Sequence, residues 1–205
     1  MDFNEKQIEI LEVVERLFSE NGFDGTSLRQ IAKEAGINIA MVSYYFGSKD
    51  KMLDALIQYR MADFRLQLDA VMHEDSSFDE KLEKIVELLV SRVHSKKRIY
   101  KILHFEFSNR SRADFEKLKA QKLDNYALFE QFIKDGQDAG AFRTGINAAL
   151  IIPTILGTYF HYNYNKEFFV EKYGINEDMD EDQFVHTTLT QHLTQTIKAL
   201  LSNEK

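Results

Sequence analysis

The placement of chain breakers constrains this sequence more than any other feature. One proline and nine glycines serve 205 residues, too little turn-forming material for a fold of many short strands. Between the breakers, apolar residues recur at helical spacing. Ile10, Val14, Leu17 and Phe18 share one face of a first segment, with Glu9, Glu12 and Glu15 between them. No segment sustains an alternation of period two, so an all-α fold is expected. Asn21-Gly22 ends the first helix, glycine being the usual residue at a left-handed helix end. A short second helix begins at Thr26-Ser27, where Ser27 and Gln30 have capping-box spacing. Its inner face is Leu28, Ile31 and Ala32, and Gly36 closes it. Asn38 caps a third helix running to about Phe46. Ser48, after Gly47, caps a long fourth helix from Lys49 to about His73.

Further helices are expected over 79–95, 98–108, 113–138, 147–170 and 183–202. The breaks fall at Asp75-Ser76-Ser77, Lys96-Lys97, Asn109-Arg110-Ser111, Gly140 to Gly145, and Asn176 to Asp182. Three helices with a tight glycine turn between the second and third make a helix-turn-helix module. The expected organisation is an N-terminal three-helix DNA-binding domain over 1–48, then a larger helical effector-binding and dimerisation domain over 49–205.

Composition removes several function classes. There is no cysteine, so disulfides, thiolate metal sites and a cysteine nucleophile are excluded. None of His73, His94, His104, His161, His186 or His192 has a glutamate three residues before it, as a di-iron helical bundle would require. His186 and His192 are six apart, the wrong spacing for one helical face, and His73-Glu74-Asp75 reads as a solvated helix end. No His-Glu-x-x-His, glycine-rich phosphate loop or Gly-x-Ser-x-Gly is present. No catalytic residue, metal ligand or cofactor is therefore expected, and the chain does not read as an enzyme. Asp2, Glu5, Glu9 and Glu12 open the sequence, unlike a signal peptide. Its most apolar stretch, Ala148 to Phe160, is shorter than the ~20 residues that span a bilayer. A cytoplasmic protein with no membrane partner is expected.

The stretch Phe23-Asp24-Gly25-Thr26-Ser27-Leu28-Arg29-Gln30-Ile31-Ala32-Lys33-Glu34-Ala35-Gly36-Ile37-Asn38, followed by Met41 to Leu53, resembles the DNA-binding domain of the TetR family of regulators. That family pattern has a Thr-capped helix, Ile-Ala-x-x-Ala-Gly-Val-Ser, and a short recognition helix ending in Tyr-x-Phe. A Ser-Lys step then opens the fourth helix, with a leucine four residues past the lysine. The match covers about the first 55 residues almost without gaps. Two departures stand out: Ser43 occupies a position where many members carry tyrosine, and the N-terminal arm lacks the usual lysines or arginines. Between Met1 and Asp50 there are five basic and nine acidic residues, and the whole chain carries −7. Binding to DNA should therefore depend on a few oriented contacts, with only a moderate dependence on salt.

The residues themselves suit such a surface. Ala32, Ala35 and Gly36 are small where two helices cross closely, and Ile31, Ile37, Val42 and Phe46 form a buried side. That leaves Ile39, Ala40, Met41, Ser43, Tyr44 and Tyr45 on the outer side of the third helix. In a major groove, methyl groups meet thymine methyls and hydroxyls reach base edges or phosphates. Arg29 matches a family position that reaches a base or a phosphate. Lys49, and Thr26 with Ser27, pair side-chain groups with free backbone N–H groups at helix starts, where phosphates bind.

The resemblance implies that the remainder binds a small molecule and dimerises. Phe64, Leu68, Phe105, Tyr126, Phe129 and Tyr159 are the expected lining of an effector pocket, which points to an apolar or aromatic ligand. The expected dimer surface uses the last two helices, through Ile151, Ile155, Phe184, Leu189, Leu193 and Ile197, with a kink at Pro153. The function that follows is a homodimeric repressor on a palindromic double-stranded operator, released by a small-molecule effector. The alternative is a helical interaction adaptor that keeps the fold without operator binding, supported by the low basic content.

Overall fold

The computed structural model describes residues 3–108, 115–175 and 180–202, and every regular element among them is helical. The chain divides into two compact units, residues 1–66 with 96–118, and residues 67–95 with 119–205.

The first unit holds α1 (Glu5–Asn21), α2 (Leu28–Glu34), α3 (Ile39–Phe46), α4 (Lys49–Met61) and α7 (Lys97–Ser108). Helix α1 starts with a reciprocal cap: Asn4 Oδ1 accepts from Gln7 N at 2.9 Å, and Gln7 Oε1 accepts from Asn4 N at 3.1 Å. Gly22 ends it at φ +74°, where its N–H reaches Phe18 O at 3.0 Å. Ile10, Leu11, Val14, Leu17 and Phe18 turn one face of α1 into a core shared with Ile31, Val42, Met52, Leu56, Ile99 and Ile102. The division expected at 48/49 follows the motif. Packing, by contrast, keeps α4 and α7 with the first 48 residues.

The fourth helix was expected to run to His73; it stops at Met61, and α5 (Phe64–Met72) follows. Lys96 accounts for the break. Its Nζ donates to the freed Arg60 carbonyl and to the Asp63 carboxylate, both at 3.3 Å, in place of the next helical turn.

The second unit is built on α6 (Phe78–Ser95), α8 (Phe115–Asp138), α9 (Ile151–Tyr164) and α12 (Thr190–Leu201); α12 and α9 both pack on α6 and on each other. Phe78, Phe132 and Phe142 form a triangle of rings 5.7–5.8 Å apart. The single helix expected over 147–170 is a 3-10 turn at Ala148–Leu150, then α9, then α10 (Lys166–Tyr173). Asn165 makes the break: at φ −112° its backbone N–H is shared between the His161 and Tyr162 carbonyls, and its side chain also donates to His161 O at 2.8 Å. Pro153 lies in the first turn of α9, where a missing N–H costs nothing. The helix starts there instead of kinking. Before α12 come α11 (Glu181–Phe184) and a π-helical turn, Val185–Leu189. The breaks expected at 109–111 and over 176–179 lie outside the described residues. None of the described helices is long and apolar enough to cross a membrane.

Candidate nucleic-acid interface

Helices α2 and α3 are each fixed at their start by a side-chain cap. Ser27 Oγ accepts from Gln30 N at 3.1 Å and Asn38 Oδ1 from Met41 N at 2.9 Å. The turn between them closes through Ile37 N to Ala32 O at 3.0 Å, with Gly36 at φ +64°, a conformation that side chains rarely adopt. Val42 and Phe46 then anchor α3 in the core. This leaves Ile39 44% exposed and Tyr44 84% exposed, with Ala40 and Ser43 also on the surface. Met41 and Tyr45 are half-buried, and the Tyr45 ring supports Tyr44 edge-on at 5.3 Å. An apolar, uncharged helix face held out from a rigid scaffold is an unfavourable way to meet water.

Basic groups flank that face. Arg29 is exposed on α2. Lys49 is the first residue of α4, behind the Ser48 cap, and its Nζ lies 4.2 Å over the Phe23 ring. That contact orients the ammonium at the helix start. Lys51, exposed in the same turn, is a further cation that the motif did not single out. Thr26 requires a correction. It is 1% exposed; its hydroxyl donates to Gly22 O at 2.8 Å and reaches Leu17 O at 3.2 Å, and its N–H donates to Phe23 O. Thr26 closes the α1–α2 turn and has nothing left to offer a phosphate.

Several acids of α1 are paired, by cations of α1 and by Arg60 of α4. Glu9 pairs with Lys6 at 2.7 Å and Glu20 with Arg16 at 3.6 Å. Arg60 takes buried Glu15 at 2.6 Å and reaches Glu12 at 4.0 Å.

The residues expected to line an effector pocket do not fall in one unit. Phe64, half-buried, and Phe105, 58% exposed, belong to the first. Leu68, Phe129 and Tyr159, all buried, and half-buried Tyr126 belong to the second.

The expected dimer residues need a larger correction. Ile151, Ile155, Phe184, Leu189, Leu193 and Ile197 are all buried within the single chain. They hold α9 and α12 on their own subunit. The outward stripe of α9 is Pro153, Thr154, Gly157, His161 and Tyr164, with Leu150 of the preceding 3-10 turn also exposed. That of α12 is Gln191, His192, Gln195 and Ala199, with Thr188 of the preceding π-helical turn also exposed. Neither stripe carries an Asp, Glu, Lys or Arg, whereas the exposed side of α6 presents Asp79, Glu80, Glu83, Lys84 and Glu87. Depletion of charged residues is a compositional mark of an interface core.

Residues 10–56 match the model described as bacterial regulatory proteins, tetR family, and residues 75–162 match a tetracyclin repressor-like C-terminal domain. A probable HTH-type transcriptional regulator of Bacillus subtilis, YttP, is 28% identical over 66% of this chain and 66% of its own length. The ketosteroid regulator KstR2 of Mycobacterium tuberculosis superposes with a TM-score of 0.77 at 17% identity, over 99% of this chain and 98% of that one. AibR, solved with isovaleryl coenzyme A and operator DNA, superposes at 0.68 with 18% identity, over 96% and 98%. The two solved structures share the fold. The two family regions, matched in order along one chain and together spanning more than half of it, make this protein a member of the tetR family of bacterial regulatory proteins.

Proposed function

We propose that the chain is a homodimeric DNA-binding transcriptional regulator, a repressor that leaves a palindromic operator when a small apolar or aromatic effector binds. One observation carries the reading: the exposed, uncharged face of α3, led by Tyr44 at 84% exposure, on a capped helix-turn-helix. Ile39, Ala40 and Met41 supply methyl and thioether surface for thymine methyls, and Ser43, Tyr44 and Tyr45 supply hydroxyls for base edges. Arg29, Ser27 and Lys49 position the unit on the phosphates. The charge-free stripes of α9 and α12 form the dimer contact, which sets the spacing of two half-sites. The effector pocket lies in the second unit, with Leu68, Tyr126, Phe129 and Tyr159 in its wall. AibR, of the same fold, was solved with isovaleryl coenzyme A and operator DNA together, which supports small-molecule and DNA binding on one chain. The protein acts by binding without a catalytic step, and works in the cytoplasm beside the chromosome.

The test is fluorescence anisotropy of the full chain against duplexes tiled from its own upstream region, repeated across salt concentrations. Tyr44→Ala and Lys49→Ala should each weaken the tightest two-fold symmetric tile at least about tenfold, the loss of one good contact. Lys49→Ala should also reduce the salt slope by about one. If neither the tiles nor selection from random DNA yields a duplex bound better than the pool, the reading fails.

A further inference from the structure

Most polar side chains buried in the second unit have partners. His94, 6% exposed in the last turn of α6, places Nδ1 3.0 Å from Tyr159 Oη and Nε2 2.8 Å from Asp182 Oδ1. A carboxylate only accepts, so Nε2 carries a proton, and Nδ1 and the Tyr159 hydroxyl are hydrogen-bonded to each other. His186 stands edge-on to His94 at 5.8 Å, with its own Nδ1 3.3 Å from Ser91 Oγ. Among the described residues of this unit, Ser76 Oγ and Asn125 Oδ1 are buried without a hydrogen-bond partner, and so is the phenol of Tyr162. Tyr162 lies three residues past Tyr159 on α9 and is 1% exposed.

The surroundings of Tyr162 are aromatic. Its ring stacks on Phe184 at 5.3 Å and meets the edge of Phe169 at 5.4 Å; Tyr173 lies 5.0 Å from Phe184. Phe169 and Tyr173 belong to α10, a helix with no fully buried residue. A π-helical turn begins immediately after Phe184, a distortion that recurs at functional sites. Burying a hydroxyl donor without an acceptor is unfavourable. Here it occurs between aromatic faces, against a wall that costs little to move.

We propose that Tyr162 anchors a site for a neutral carbonyl compound with a flat aromatic body, the phenol donating to the carbonyl oxygen and the rings of Phe169, Tyr173 and Phe184 enclosing the rest. This rests on the reading of the second unit as the effector-binding part and specifies the ligand class. The ligand enters by parting α10 from α9. A carboxylate is the poorer occupant because Glu181 and Asp182 already place negative charge near the phenol. Tyr159 is committed to His94, which leaves Tyr162 as the donor.

The full-length protein is titrated with methyl naphthyl ketone, ethylnaphthalene and naphthoate, probes of one shape that differ in the acceptor. The ketone should bind about tenfold more tightly than ethylnaphthalene, the value of one buried hydrogen bond, and more tightly than naphthoate. Tyr162→Phe should bring ketone and hydrocarbon within about twofold of each other while leaving hydrocarbon binding unchanged. The ligand-free variant should melt no lower than wild type, since it loses a hydroxyl that had no partner. Three results overturn the site: a ketone preference that survives Tyr162→Phe, naphthoate binding tightest, or a variant that melts lower. Operator binding by the same ligand-free samples separates the two readings. DNA binding without the hydroxyl dependence removes only the anchor; the hydroxyl dependence without DNA binding removes the regulator and leaves the anchor.

Discussion

Substitution of Gly157 by arginine tests which face of α9 meets a second subunit. A Cβ built on Gly157 has no atom within 4 Å, so the isolated subunit has room for a longer side chain. Arginine in place of glycine inside a helix improves intrinsic helix stability by roughly 0.7 kcal/mol. The fold of one subunit should therefore survive. A two-fold interface presents the same patch twice, so the substitution acts twice. At about 3 kcal/mol for each unpaired guanidinium taken out of water, the dimer weakens by about 6 kcal/mol, on the order of ten-thousandfold. Ile155→Ala is the opposite control. Ile155 is fully buried inside the subunit, and truncation there costs about 2–5 kcal/mol of stability without touching a partner. For a chain of this size, that lowers melting by roughly 4–20 °C. Sedimentation at micromolar concentration reads association, and circular dichroism reads helix content. Gly157→Arg should be a folded monomer and Ile155→Ala a less stable dimer. If Gly157→Arg sediments as a dimer, or Ile155→Ala gives a folded monomer of normal stability, the outward stripes are not the interface.

Three further outcomes follow from particular contacts. Thr26→Val removes a hydroxyl that serves two carbonyls. It should cost about 1–3 kcal/mol in thermal unfolding and leave operator affinity unchanged; a selective loss of affinity would return Thr26 to the phosphate contacts. Gly136→Ala places a Cβ 2.2 Å from Phe142 Cδ2, an overpacking worth about 1–3 kcal/mol. The same change in a Phe142→Leu background should be neutral, and simple additivity would refute the clash. Burial pushes the Tyr162 phenol up to about 12 and raises Tyr159 likewise. Their folded values exceed the unfolded value, so stability present below about pH 10 is lost as pH climbs toward 12, at up to about 1.4 kcal/mol per unit for each group. Tyr162→Phe should make the alkaline fall in melting temperature shallower, and an unchanged slope would show that Tyr162 does not titrate late.

Local signals in the sequence carried the N-terminal unit. Asn38, Ser48 and Gly22 act within one turn of themselves, so caps and ends are legible from neighbouring residues. The outer face of α3 was legible for the same reason: Val42 and Phe46 fix which side goes in. The misplaced features depend on residues distant in sequence. Nothing around Met61 marks a helix end; Lys96, thirty-five positions on, supplies the donor that replaces the turn. Thr26 reads as a capping and phosphate-binding threonine until α1 brings the Leu17 and Gly22 carbonyls to its hydroxyl. The His94–Asp182 pair spans 88 residues and leaves no local trace.

The dimer face shows why apolar periodicity is ambiguous in a helix that packs on both sides. In α9 and α12, the strongest apolar stripe was assigned to the partner, although each subunit must first bury its own core. Ile151, Ile155, Leu193 and Ile197 are consumed there, because a helix face lined with large aliphatic residues is needed to hold α9 and α12 on α6. What remains on the surface is the weaker pattern: small, aromatic and amide side chains with formal charge excluded. Gly157 on α9 and Ala199 on α12 allow close helix approach, while Tyr164, His161 and Gln195 add flat or polar contact surface. The absence of charge over two adjacent faces, in a chain where 29% of residues are charged, is therefore the informative signal. Hydrophobicity ranks faces by what the fold needs. Depletion of charge marks the face that something else covers.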